Sequence, residues 1–108
     1  MSIICLGDFG NGGIQQYNVA NLMNQVIKKK DTKFILGLGD NIYPFGAKSK
    51  TDPQFIEKFE KPYQSLPDHI KFYQVLGNHD YFGNINAQIE YHNNLKRWQM
   101  PNNYYFFT

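Results

Sequence analysis

Cysteine is nearly absent: Cys5 is the single one in 108 residues, so no intramolecular disulfide can form. It lies in the apolar run IICL, where a small buried hydrophobe is the expected role. Long hydrophobic runs are also missing. No stretch approaches the ~20 apolar residues of a membrane-spanning helix, and no basic segment followed by a signal-length apolar run opens the chain. On these features the chain reads as cytosolic, or as a processed or partial product, and its compartment stays open. Charge of one sign is lacking too. A net charge of +2 gives no argument for nucleic acid, and the one basic run, Lys28 to Lys30, falls where a helix would end and would complement its terminal carbonyls. Repeats, low-complexity tracts and Pro/Gly linkers are absent, which leaves one continuous set of elements.

What is present is ordinary globular composition, 42% hydrophobic and 19% charged, with a high aromatic share of 17% that implies substantial packed area. Ser2 to Leu6 is a short apolar run ending at GDFGNGG. Val19, Leu22, Met23, Val26 and Ile27 then recur at helical spacing. Phe34 to Leu38 is a second buried run, ending at GDN. Phe55, Ile56 and Phe59 predict a short helix opened by Asp52-Pro53 and closed by Pro62. Ile70 to Leu76 is a third run, ending at GNHDY. Ala87, Tyr91, Leu95 and Trp98 predict a last helix, and Tyr104 to Phe107 a last strand. The order β-α-β-α-β-α-β predicts an α/β fold with a mostly parallel sheet. Such sheets place ligands beyond the carboxyl ends of their strands.

Three runs end in polar residues, so GDFG, GDN and GNHD should converge on one sheet edge. Asp8, Asp40, Asn78 and His79 make a poor core and a good set of hard donors for a cation, which would also relieve repulsion between the carboxylates. Gly7, Gly39 and Gly77 precede the polar residues and fit sharp turns at which the backbone comes close to another group. A phosphate-binding reading of GDFGNGG fails on spacing, since its glycines match neither GxGxxG nor GxxxxGK[ST], and Asp8 would sit beside the anion.

The ordered blocks GDFG (7–10), GDNIY (39–43) and GNHD (77–80) resemble the GDxG, GDNxY and GNHD blocks of calcineurin-like metallophosphoesterases, and specifically of purple acid phosphatases. The stretch from Gly77 to Phe106 resembles their small tartrate-resistant type. The wider superfamily usually has DxH in its first block, with the histidine binding metal; here Gly10 stands in that place. The resemblance implies that Tyr43 supplies the lost ligand. It further implies that Asp8 and Tyr43 bind a ferric ion, that Asp40 bridges two metals, and that Asn78 binds the second ion, Fe(II), Zn(II) or Mn(II). His79 would be catalytic, orienting the phosphate ester and helping to protonate the leaving alkoxide, with Asn78 and His79 both contacting substrate. Asp80 would orient His79 or cap a turn.

The implied activity is acid hydrolysis of phosphate monoesters at a dinuclear centre. Other readings kept open are a phosphodiesterase of the same superfamily and a catalytically inactive binding remnant. The family's later histidine blocks, VxxH and GHxH, are not present. His69 and His92 have polar neighbours and are expected to face solvent. Residues 1–108 would thus be a partial domain, the N-terminal half of an α/β/β/α sandwich. Its bare inner sheet face would call for the missing C-terminal half or an oligomeric partner. A phosphate monoester is the expected small-molecule partner, with neither nucleic acid nor membrane implied.

Overall fold

The computed structural model describes residues 1–107. Its centre is a four-stranded sheet of β1 (Ser2–Leu6), β2 (Thr32–Gly37), β3 (Phe72–Gln74) and β4 (Trp98–Gln99). The strands lie in the order β1-β2-β3-β4 and every neighbouring pair is parallel. Strands that neighbour one another in chain order, joined by crossovers of one hand, carry their connections on one face. The burial pattern agrees. Ile35, Phe72 and Trp98 are fully buried on the covered face, with Ile4 and Leu6 packed beside them, whereas Ile3 and Val75 on the other face stay exposed.

Helix α1 (Ile14–Lys30) fills the first crossover and ends where the lysines predict, at Asp31 in the left-handed conformation. Its buried stripe is Gln16, Ala20, Met23 and Ile27; Val19, Leu22 and Val26 of the expected apolar set face outward. Gln16 explains the rotation. Its amide nitrogen donates to Lys58 O (2.8 Å) and Tyr63 Oη (3.2 Å) while its oxygen accepts from Gly12 N (2.8 Å), so a polar staple ties the helix to the second crossover. Cys5, expected to be buried, is exposed, because it alternates onto the uncovered sheet face between Ile4 and Leu6.

The second crossover holds a π-helical segment, Ile56–Glu60, reached through Asp52-Pro53 as the sequence predicts. Phe59 projects from it into the core, 4.9 Å from the rings of both Phe72 and Trp98, and much of the aromatic content meets here. Asp52 caps the entry, accepting from Gln54 N (3.0 Å), Lys48 N (2.8 Å) and Gln54 Nε2 (3.0 Å). Desolvation pushes its pKa up, but these hydrogen bonds outweigh it and hold the carboxyl below its ordinary 3.8. A carboxyl depressed in the fold contributes its full stability above the unfolded value. That contribution disappears as pH falls through the lower folded value. Acid unfolding is therefore expected to gain from this group only below about pH 4. Asp52→Asn should cost about 1 kcal/mol at pH 7 and flatten that acid slope, read from urea melts across the pH range.

The last third differs most from expectation. Helix α2 covers only Ile85–Glu90, and Trp98, expected on a helix, is the first residue of β4. Asn93 breaks the helix: its side chain accepts from Leu95 N (2.8 Å), turning the chain and leaving Leu95 94% exposed. Tyr104 to Phe107 form no strand. Instead Tyr105 Oη donates to Gln74 O (2.6 Å) and Phe107 stacks on Tyr73 at 3.9 Å, so the open sheet face is partly covered rather than bare. The lone arginine, Arg97, closes the loop before β3 by donating to the carbonyls of Leu66, Pro67 and Ile70.

Candidate metal centre

All three glycine-polar blocks leave the carboxyl ends of parallel strands, and the sheet brings them together. Asp8 N donates to Gly39 O (3.1 Å), joining the first two turns. Asp8 and Asp40 each have φ +55°, a left-handed conformation that costs a non-glycine residue roughly 1–2 kcal/mol. Two such residues side by side, at the tips of adjacent strands, mark a site whose surroundings impose the geometry. Gly77 is needed for close approach: a Cβ there would lie 2.3 Å from both Asp40 N and Asp40 Oδ1.

Asp40 is the centre of the cluster. Its Oδ1 accepts from His79 N (2.9 Å) and its Oδ2 from Tyr43 Oη (3.1 Å). The Asn78 amide, with its nitrogen turned toward Asp40, stands 3.3 Å from both carboxylate oxygens. Asp8 is close enough to influence the proton affinities of both Asp40 and Tyr43. Desolvation raises the pKa of Asp40, but donation by the His79 N–H and the Tyr43 hydroxyl outweighs it, and the carboxyl sits below its usual range. The phenol of Tyr43 is pushed up, first by desolvation and then by its hydrogen bond to Asp40 and the carboxylate charge beside it. Two carboxylates, a phenol and a carboxamide within one small volume form an oxygen-rich donor set that fits a hard cation. Among the described residues no three His, Cys, Asp or Glu side chains gather, so any metal held here depends on Tyr43 and Asn78 as well as the acids.

His79 stands beside this cluster, its ring 4.6 Å from that of Tyr43. Its Nδ1 lies 2.8 Å from Pro44 O. A carbonyl can only accept, so Nδ1 carries the proton and Nε2 is the atom left for chemistry. His69 is exposed, as expected. His92 is half-buried rather than solvent-facing, because its Nδ1 accepts from Met100 N (3.1 Å) beside β4. Burial, followed by the Lys71 charge, lowers its pKa.

Asp80 neither contacts His79 through its side chain nor serves as a simple turn cap. Fully buried, its carboxylate accepts from Asn41 N (3.0 and 3.1 Å), Ile42 N (3.1 Å), Gly77 N (2.8 Å) and Gln88 Nε2 (2.9 Å). It thereby clamps the GDN turn to the GNHD turn. Gln88 Oε1 in turn accepts from Asn41 Nδ2 (3.0 Å), and Gln88 O accepts from Trp98 Nε1 (3.0 Å), which anchors the clamp in the core. Lys58 adds a second brace by donating to Tyr43 O. Sequence reasoning missed Asn41, Gln88 and Lys58. Asn41 lies inside a block already singled out, but nothing in the chain marks the other two before the fold is known. At Gly10 a Cβ would fall 1.7 Å from Asn41 O, so the GDN turn fills the space a larger residue would need.

Known proteins place this geometry in context. The family description Calcineurin-like phosphoesterase matches residues 1–108. The chain is 39% identical over 100 residues to Purple acid phosphatase 7 of Arabidopsis thaliana, covering 92% of this chain and 30% of that protein. It is 33% identical over 112 residues to Tartrate-resistant acid phosphatase type 5 of Oryctolagus cuniculus, covering 97% and 34% respectively. Among solved structures it is similar to GAP50, the anchor in the inner membrane complex of Plasmodium, with a TM-score of 0.84, 32% identity, and coverage of 95% of this chain and 34% of that one. The chain spans about a third of the length of these relatives.

Proposed function

Because this chain belongs to the calcineurin-like phosphoesterase family, we propose that its strand tips form one side of a dinuclear metal centre that hydrolyses phosphate monoesters under acid conditions. The observation that carries this reading is the meeting of Tyr43, Asn78 and His79 on the two oxygens of Asp40. On this reading Asp8 and Tyr43 would hold a ferric ion, Asn78 a divalent one, Fe(II), Zn(II) or Mn(II), and Asp40 would serve both. Bound cations supply Lewis acidity to the P–O cleavage. The chain's own residues do the rest. Asp40 is oriented by the His79 N–H and the Tyr43 hydroxyl, and Asp80 keeps their two turns in register. Asn78 presents its amide to the phosphate group. His79, as an imidazolium whose Nδ1–H stays on Pro44 O, would offer its Nε2–H toward the ester and pass that proton to the leaving oxygen, which leaves it as the Nδ1–H tautomer. The imidazoles that complete such a centre by family resemblance come from outside these residues, from a longer chain or from a partner.

A second reading is a binding role without turnover. It is favoured by the similarity to GAP50, which is described as an anchor, and by the placement of His69 and His92 away from the cluster. Loading the 108-residue chain with iron plus zinc or manganese separates the two. Two bound metals with hydrolysis of 4-nitrophenyl phosphate at mildly acid pH supports the phosphatase. Metal or phosphate binding without turnover, persisting after the completing histidines are supplied on a longer chain, supports the binding role.

A further inference from the structure

We propose that Gln54 and Lys58 form a two-point grip on the turn from Tyr43 to Gly46 and so act as positioning residues for the Tyr43 phenol; the consequence for metal binding rests on the phosphatase reading. The two side chains lie four residues apart on the helical part of the second crossover, the spacing at which helical neighbours meet. Lys58 Nζ donates to Tyr43 O and to Gln54 Oε1 (2.7 Å), and Gln54 Nε2 donates to Gly46 O (3.1 Å). One side chain therefore holds the first carbonyl of the turn, the other holds the last, and the two hold each other.

The grip has a rigid base. Phe55 and Phe59 of the same segment are buried, Phe55 stacking on Tyr91 at 3.9 Å and Phe59 meeting Phe72 and Trp98, so the helical part cannot shift without disturbing the core. Gln16 Nε2, on α1, donates to Lys58 O (2.8 Å) and fixes the lysine backbone from a second element. The turn is also stopped by the Asp80 main chain, since a Cβ at Gly46 would lie 2.7 Å from Asp80 O. Charge pairing does not account for Lys58. Its two acceptors are neutral oxygens, and the one ion pair among the described residues joins Lys33 to Asp31. A charged donor makes a stronger hydrogen bond than a neutral one, so the ammonium favours a single placement of the Tyr43 carbonyl. From that placement the Tyr43 hydroxyl reaches Asp40 Oδ2 (3.1 Å). Groups that orient a metal-binding side chain from outside govern its fit to the ion. The grip thus acts on the cluster through the Tyr43 backbone.

Amide hydrogen exchange of the metal-free 108-residue chain tests the grip itself. In Lys58→Met the Tyr43 amide, which donates to Gly10 O (2.8 Å), and the Gly46 amide, which donates to Ile42 O (3.0 Å), should exchange about tenfold faster than in wild type, while the amides of β2 keep their rates. Ferric titration of the same samples should then show about tenfold weaker binding and a visible band displaced from its wild-type wavelength. A general loss of stability would not single out those two amides or displace the band of the iron that still binds. Gln54→Met should give the same pattern to a smaller degree, and it carries the test if melts show Lys58→Met unfolded. Unchanged exchange at both amides in a folded variant overturns the grip. Faster exchange with unchanged iron affinity and an unchanged band overturns the positioning role and leaves the phosphatase reading standing. A wild-type chain that binds no iron overturns that reading and the positioning role with it, whatever the exchange rates show.

Discussion

Asp80→Ala is expected to lower the stability of this chain by about 3 kcal/mol, equivalent to roughly 10–20 °C in melting temperature for a domain of this size. Three backbone N–H groups, from Asn41, Ile42 and Gly77, converge with the Gln88 amide on a carboxylate that is 0% exposed. Truncation removes the acceptor and leaves those donors buried, and an unmade buried hydrogen bond costs more than a formed one contributes. Asp80→Asn should recover less than half of the loss. It keeps the volume but turns two N–H donors into a space already filled with donors. The clamp also has a positional consequence. Because Asp80 binds Asn41 and Ile42, the two residues between Asp40 and Tyr43, its loss should weaken metal retention even where the chain stays folded. Urea melts with ferric and zinc binding on the same samples check both effects. An Asp80→Ala variant within about 0.5 kcal/mol of wild type, the range of ordinary surface substitutions, would contradict the clamp.

Gly10→His is expected to cost about 3 kcal/mol or more, through overpacking rather than lost contacts. The hypothetical Cβ at this position meets Asn41 O at 1.7 Å, Asn41 C at 2.2 Å and Ile42 N at 2.8 Å, all backbone atoms that no rotamer change can move. Tyr43 N also donates to Gly10 O at 2.8 Å, so relief by withdrawing the GDN turn would break the link that places Tyr43. The superfamily's usual histidine therefore cannot be restored here by one substitution, and Gly10→Ala should be nearly as damaging because the clash begins at Cβ. This ties together the two departures from the common first block. The absence of a side chain at position 10 is what lets the turn carrying Tyr43 close onto the first strand tip. Thermal melts of both variants check it; wild-type stability in Gly10→His would show that the turn has room to yield.

The strand tips were legible in the sequence because glycine followed by a polar residue punctuates an apolar run in a way that core packing does not require. The parallel sheet then followed from the alternation of elements. The last third was not legible, since Ala87, Tyr91, Leu95 and Trp98 fall at helical spacing whether or not the helix continues. Only the turn at Asn93 decides that Trp98 enters the sheet. Exposure was misjudged for Cys5 and for the Val19, Leu22 and Val26 stripe. Periodicity indicates that one face is apolar, but the rotation of α1 is set by Gln16 reaching Lys58 and Tyr63, partners that only the fold brings near. Asp80 and Gln88 escaped for the same reason. A carboxylate next to a candidate catalytic histidine invites a role at that histidine, while its hydrogen bonds run to the opposite side, into the protein.

Ferric titration of the wild-type chain and of Tyr43→Phe, followed by visible absorption and bound iron, tests the central claim most directly. If Asp8, Asp40, Tyr43 and Asn78 form one side of a metal centre, wild type develops a visible band as iron binds, and Tyr43→Phe loses the band while remaining folded. An equal band in the variant, or no iron retained by the wild-type chain, would contradict that assignment.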